Sequence, residues 1–97
     1  MDKRDELIEL YLIYKSLLTV NEQLYFENYY YEDYSLNEIA ENQKVSKANV
    51  SKVLNNTISK LNDYENKLKI NYKNKAIKSI LINEENERLL EKIDELL

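Results

Sequence analysis

The sequence predicts an all-α fold: a small helical bundle that contains a helix-turn-helix and carries a C-terminal helical extension. Apolar residues recur at spacings of three and four along most of the chain, which places them on one side of a helix. Two Ser/Thr-x-x-Glu sequences, beginning at Thr19 and Ser35, are typical of helix N-termini because hydroxyl and carboxylate cap each other's backbone amides. The length of 97 residues suits one small core.

The first helix is predicted from about Asp5 to Leu18. Its apolar residues form one stripe that we expect to be buried: Leu7, Leu10, Tyr11, Tyr14, Leu17 and Leu18. Ile8 and Leu12 widen this stripe beyond what one neighbouring helix needs. The helix therefore packs on two sides or faces a second protomer.

The second helix is predicted from the cap at Thr19 to about Glu32, with a core of Leu24, Phe26, Tyr29 and Tyr30. The tyrosine run that ends this segment could form a platform for stacking nucleic-acid bases. Rings on consecutive helical residues point in different directions, and acidic residues surround the tyrosines of this run. We therefore expect most of the tyrosines to be core residues whose hydroxyls reach the surface.

The segment from Ser35 to Leu54 has the pattern of a helix-turn-helix. A third helix follows Ser35 and ends near Asn42, Asn42 or Lys44 takes the turn, and a fourth helix runs from Lys47 to about Lys67 behind the N-cap Ser46. Its apolar positions are Ile39, Ala40, Val45, Val50, Val53 and Leu54. A plain helical hairpin with a tight turn shares this pattern and is the alternative. Because the chain has no Gly, we expect Asn at any backbone position with positive φ.

The C-terminal part is predicted to begin after a break or bend at Asn71 to Asn74, which divides the chain into a helix-turn-helix bundle (1–70) and a helical extension (71–97). An apolar cluster follows the break: Ile77, Ile80, Leu81 and Ile82. Asn83 is expected to cap a last helix lined by Leu89, Leu90, Ile93, Leu96 and Leu97. That helix folds back on the bundle or pairs with another chain.

The charge of the chain is unevenly distributed. Residues 1–43 carry three Lys/Arg and ten Asp/Glu, whereas residues 44–82 carry nine Lys and two acids. The first segment therefore has a net charge of −7 and the second of +7, within a chain of net charge −4. Positive charge on the fourth helix favours nucleic-acid binding. The plainer interpretation is a lysine-rich face that water solvates.

Several segments in order resemble the YlxM family of small bacterial proteins, which is similar to the DNA-reading fourth region of sigma factors. The resemblance covers about residues 7–70, and its best segments are Leu17-Leu18-Thr19, Ser35 to Ala40, Val45-Ser46, Val50 and Asp63 to Leu68. It implies an all-helical fold and an accessory or regulatory role in the signal recognition particle pathway, because the family's genes lie beside those of the particle's GTPases. DNA binding is implied by the likeness of fold.

The sequence departs from the family pattern at two places. Gln43-Lys44 stands where an aromatic-Gly pair is expected, so the tight turn lacks its Gly. Ser51 and Lys52 stand where an aromatic and an acidic residue are common, which makes this face more basic and favours nucleic acid.

The first functional hypothesis is DNA binding with the fourth helix in the major groove. Lys47, Ser51, Lys52 and Asn55 would face base edges, since Asn suits adenine and Lys suits guanine. Phosphates would be held by Lys44, Ser46 and Lys60. For Ser46, a role as helix cap alone explains the residue at least as well. A monomer offers few cationic contacts, so we expect a homodimer, built on surplus apolar residues of the first and last helices.

The second hypothesis is a protein- or RNA-interaction module of the signal recognition particle that binds no operator DNA. The acidic first half suits a basic surface of the particle's GTPase, and the lysine-rich half could touch the phosphates of its RNA. RNA recognition of this kind would depend on shape, because the major groove of an RNA duplex is too narrow for a helix.

An enzyme is the least favoured class. Without His, Cys or Gly the chain has no imidazole base, thiol nucleophile or phosphate-cradling loop, and no metal-ligand spacing appears. We therefore expect no cofactor and no metal. The N-terminus is charged and no apolar run has the length of a signal or membrane segment, so the expected protein is soluble and cytoplasmic, without membrane insertion.

Overall fold

The computed structural model describes residues 3–83, which contain helices and no strand. The elements are α1 (Lys3–Tyr14), a 3-10 helix (Lys15–Leu17), α2 (Val20–Tyr30), α3 (Leu36–Gln43), α4 (Lys47–Leu68) and α5 (Ile70–Asn83). The all-α fold is thus confirmed. The predicted last helix after Asn83 lies outside the described residues. None of the described helices has both the length and the apolar character needed to cross a bilayer.

Both predicted capping boxes are present. The Thr19 hydroxyl accepts the Glu22 amide at 3.2 Å, and the Glu22 carboxylate accepts the Thr19 amide at 2.8 Å. Ser35 and Glu38 exchange the same two bonds at 3.1 and 3.2 Å. Each box satisfies amides that a helix N-terminus leaves without a partner, and it fixes the residue at which the helix begins.

The long helix α4 joins two hydrophobic clusters. Its C-terminal half supplies Leu61 to a cluster with α1 and α2, whose other buried members are Leu7, Leu10, Tyr11, Tyr14, Leu18 and Phe26. Its N-terminal half packs against α2 and α3 in a second cluster of Tyr25, Ile39, Ala40, Val50 and Leu54. The helix-turn-helix is therefore held to the rest of the bundle by α4, which runs through both clusters, and by α2, which packs in both.

The packing of α2 differs from the prediction at Tyr25 and Tyr29. Tyr25 is buried in the second cluster and Phe26 in the first, because α2 lies between them. Phe26 stacks on Tyr11 with ring centroids 4.3 Å apart. Tyr29, predicted to be core, is 39% exposed near the end of the helix. Leu17 is also exposed, since α1 ends at Tyr14 and the 3-10 turn rotates Leu17 out of the stripe.

The break before α5 occurs earlier than predicted. Lys69 takes a left-handed conformation with φ 51°, and α5 begins at Ile70 rather than after Asn71 to Asn74. The Glu65 carboxylate accepts the amides of Asn71 and Tyr72, both at 3.1 Å, and so caps α5 from the preceding helix.

Helix α5 also lies against α1. Glu9 of α1 accepts a hydrogen bond from the Asn71 side chain at 3.1 Å and pairs with Lys75 at 3.0 Å. The hydrogen bond from Asn71, followed by the charge of Lys75, lowers the pKa of Glu9. On the predicted apolar cluster of this helix, Ile77 and Ile80 are 41% and 58% exposed.

Candidate nucleic-acid interface

The turn between α3 and α4 is closed by backbone hydrogen bonds. Lys44 adopts a left-handed conformation with φ 56° and ψ 43°, and its amide donates to the Glu41 carbonyl at 3.3 Å. The Val45 amide donates to the Ala40 carbonyl at 3.0 Å. These are the two bonds of a Schellman motif, which satisfies the carbonyls that α3 leaves open at its C-terminus. Lys44 occupies the position that Gly usually takes.

Helix α4 begins immediately after this turn. The Ser46 hydroxyl accepts the Asn49 amide at 3.0 Å, so the predicted N-cap is confirmed. Ser46 and Lys47 are both exposed. The positive end of the helix dipole and the uncapped amides of the first turn therefore face solvent beside Lys47, an arrangement that attracts anions.

The four residues predicted to face bases lie on two adjoining sides of α4. Lys47, Ser51 and Asn55 are spaced by four and share one side of the helix, whereas Lys52 lies about 100° further round the axis. Lys47, Lys52 and Asn55 are exposed, and Ser51 is half-buried. The same turns are buried through Val50 and Leu54, a row that Lys47 and Ser51 border and that Lys52 faces away from.

Three lysines give this surface its charge. Within the described part of the chain, Lys44, Lys47 and Lys52 form no ion pair. All three are exposed and belong to the turn or to the first two turns of α4. Their charges are thus available to an external anion.

Lys60 lies apart from these residues. Its ammonium pairs with the buried Glu22 carboxylate of α2 at 2.9 Å, and it is more than a helical turn beyond Asn55 on another side of α4. The hydrogen bond from Lys60 to Glu22 raises the pKa of Lys60. Burial alone raises the pKa of Glu22, but Lys60 and the bonds with Thr19 outweigh burial and lower it. The charge of Lys60 is thus already paired with a carboxylate of the same chain.

Ser51 and Asn55 also border a cavity that the sequence interpretation missed. A space of about 170 Å³ lies between them and the side chains of Tyr29, Tyr30 and Leu36. It adjoins a larger groove of about 730 Å³, which shares Tyr29, Tyr30, Asn55 and Ile58 with it. The dense tyrosine run from Tyr29 to Tyr34 was the signal in the sequence, but the prediction assigned most of these rings to the core.

The fold, the three-residue turn and the exposed side of α4 define the class of a small all-α helix-turn-helix protein. The chain belongs to the family described as "Putative helix-turn-helix protein, YlxM / p13 like", whose family model matches residues 1–96. No curated protein matches the chain. The resemblance noted in the sequence is thereby confirmed, and it extends over nearly the whole chain.

Proposed function

We propose that the protein is a cytoplasmic, non-enzymatic regulator that binds double-stranded DNA through the turn and the N-terminal half of α4. The observation that carries this proposal is the contrast between the two sides of that helix. One side is anchored in the core by Val50 and Leu54, Lys52 lies on the opposite side, and Lys47 is exposed at the first turn; neither lysine forms an ion pair in residues 3–83.

The residues divide into two roles. Lys44 and the N-terminus of α4 at Ser46 are placed to contact phosphates, which fix orientation without reading sequence. Lys47, Lys52 and Asn55 are exposed on the helix that would enter the major groove, where Lys and Asn recognise guanine and adenine edges. Ser51 is half-buried and contributes at the edge of this surface. We leave Lys60 out of the proposed interface because Glu22 already neutralises it.

Fluorescence anisotropy with random duplex DNA at two salt concentrations tests the proposal. For each bound chain, contacts from Lys44, Lys47 and Lys52 give an expected slope of log K against log salt of about −3, and removing two of them reduces its magnitude by about two. Lys47→Glu with Lys52→Glu should therefore abolish binding at moderate salt.

The matched control changes the same amount of charge elsewhere. Lys15→Glu with Lys73→Glu alters two exposed lysines, one on the 3-10 helix and one on α5. Binding should survive in this variant apart from a small effect of net charge. Equal loss in both double variants would mean that net charge, and not this surface, governs affinity, and the proposal would then be wrong.

The alternative partner is a component of the signal recognition particle, either its GTPase or its RNA. The acidic side chains that favour this alternative are exposed on the N-terminal half of the chain, among them Glu32 and Glu41. Titrations of the same variants against the GTPase and the particle's RNA separate the two functions. GTPase binding that is indifferent to the changes at Lys47 and Lys52, with no binding to duplex DNA, would favour the accessory role.

A further inference from the structure

A groove lies between the N-terminus of α1, the C-terminal end of α2 and the middle of α4. We call it the tyrosine groove; its lining includes Leu7, Tyr29, Tyr30, Tyr34, Asn55 and Ile58. Its volume of about 730 Å³ falls in the range of small-molecule sites, which is about 300–1,000 Å³. The groove is thus large enough for a fused ring system.

Several polar side chains of the groove make no hydrogen bond within residues 3–83. The hydroxyls of Tyr11 and Tyr14, in the core, donate to Glu27 and Glu65 at 2.6 and 2.7 Å. By contrast, the hydroxyls of Tyr29, Tyr30 and Tyr34 and the side-chain amide of Asn55 make no hydrogen bond within residues 3–83. The groove therefore combines aromatic faces with several unused donors, as expected for a flat ligand that carries acceptor atoms.

The charged residues that line the groove, Lys3, Arg4 and Asp33, sum to one positive charge. Arg4 donates to Asp33 at 2.8 Å, so these two charges compensate each other. Lys3 lines the same groove and forms no ion pair in the described part of the chain. A ligand with a negative group directed at Lys3 would complement this charge.

We propose that the tyrosine groove is a binding site for a planar aromatic anion. The rings of Tyr29, Tyr30 and Tyr34 flank its aromatic part, Leu7 and Ile58 form the apolar floor, and Lys3 attracts its negative group. This site goes beyond DNA binding and stands without it. Because Asn55 belongs to both surfaces, a bound ligand would also alter DNA contact; that consequence rests on the proposed function and does not enter the test.

The test uses 8-anilinonaphthalene-1-sulfonate as probe and its uncharged analogue N-phenyl-1-naphthylamine as the matched ligand. In heteronuclear NMR spectra of the full chain, the sulfonate should produce saturable shifts at the side-chain amide of Asn55 and the rings of Tyr29 and Tyr34. The sulfonate should bind several-fold more tightly than the amine. In Lys3→Gln this preference should shrink.

Two variants separate the groove from other apolar surface. Tyr29→Ala removes one aromatic wall and should weaken probe binding about tenfold, the effect of losing one stacking contact. Tyr72→Ala makes the same change at a ring that is 68% exposed on α5 and should leave affinity unchanged. Shifts centred on Ile77 and Ile80 of α5, shifts spread over no defined set, or equal affinity for the two ligands would overturn the proposal. The shift pattern of the unaltered chain decides the matter even if Tyr29→Ala folds poorly.

Discussion

At the scale of single residues, the positions with positive φ show how packing overrides local preference. They are Asp33, Lys44 and Lys69 within residues 3–83. None is the Asn expected in general at such positions, but Lys44 is one of the two residues predicted to take the turn between α3 and α4. The amides of Lys44 and Val45 donate to carbonyls in the last turn of α3, and this geometry requires a left-handed conformation at Lys44. A left-handed conformation costs a residue with a Cβ atom about 1–2 kcal/mol.

Relieving this strain should stabilise the protein. Lys44→Gly is expected to raise the free energy of unfolding by about 0.5–1 kcal/mol, because the relief exceeds the entropy that Gly adds to the unfolded chain. Lys52→Gly, inside α4 at its second turn, should instead lower it by about 1 kcal/mol. Urea denaturation of both variants measures the contrast. A loss of stability in Lys44→Gly would show that the lysine side chain itself supports the turn.

Glu22 is a second residue whose role depends on its surroundings. It is buried, caps α2 and pairs with Lys60, and its pKa is lowered in the folded protein. A carboxylate with a lowered folded pKa stabilises the fold above its unfolded pKa, about 4.3, and this stabilisation disappears as the pH falls through the lower folded value. Between neutral pH and about pH 5 the contribution is therefore fully present.

The stability difference between wild type and Glu22→Gln should consequently be largest near neutral pH and should shrink below about pH 4. Thermal or urea unfolding across this pH range measures the difference. Glu41→Gln, which changes an exposed carboxylate on α3, is the matched control and should lie close to wild type at every pH. A difference between wild type and Glu22→Gln that is constant with pH would contradict the assigned role of the Glu22 charge.

At the scale of elements, the sequence predicted best the helices that begin with a local cap. Thr19, Ser35 and Ser46 cap as expected, since a cap is a local interaction between residues three apart. The end of α4 at Leu68 lies one residue from the predicted Lys67, but the start of α5 at Ile70 was missed. It depends on Glu65, which contacts Tyr14 far away in sequence as well as the start of α5. No local pattern carries such information.

This interaction makes a prediction about α5. The Glu65 carboxylate accepts the Tyr14 hydroxyl at 2.7 Å and two amides of α5, while the Ile70 amide donates to the same hydroxyl at 3.3 Å. Glu65→Ala leaves these donors without an acceptor and should cost about 1–3 kcal/mol. Amide hydrogen exchange should accelerate most in α5. Glu65→Gln keeps one acceptor oxygen and should recover part of the protection.

Tyr14→Phe removes only the Tyr14 hydroxyl. It therefore separates the contribution of that hydroxyl from the contribution of the Glu65 carboxylate. If α5 is held chiefly by the Glu65 carboxylate, this variant should exchange more slowly in α5 than Glu65→Ala does. Exchange in α5 that is unchanged by Glu65→Ala would mean that Glu9, with Asn71 and Lys75, suffices to hold the helix.

At the scale of the whole molecule, the candidate surface was partly readable from the sequence. The apolar row through Val50 and Leu54 predicted that Lys47 and Lys52 face outward, as they do. The pairing of Lys60 with Glu22 joins residues 38 positions apart and could not be inferred from spacing. The same holds for the tyrosine groove, which three separate elements form. The division of the chain at residue 70 stays a prediction.

Three unpaired lysines form a small footprint for a DNA-binding protein, and this limitation leads to the last prediction. Affinity at physiological salt grows with the number of phosphates neutralised, so two copies acting together would double the electrostatic contribution. Exposed apolar side chains offer candidate contacts, on α1 at Leu12, which is 66% exposed, and on α5 at Ile77 and Ile80. We therefore predict a homodimer at micromolar concentration.

Sedimentation velocity should give twice the chain mass of 11.7 kDa. Ile77→Asp with Ile80→Asp should shift the protein to monomer if α5 forms the contact, and Leu12→Asp should do so if α1 forms it. These side chains are exposed, so neither change should lower the stability of the single chain greatly. Whichever variant dissociates the dimer should also halve the salt slope of DNA binding. A monomer brings only its own three lysines to the phosphates, which is half the number that a dimer brings. A wild-type protein that sediments as a monomer would contradict the dimer and leave each chain to bind DNA with its own three lysines.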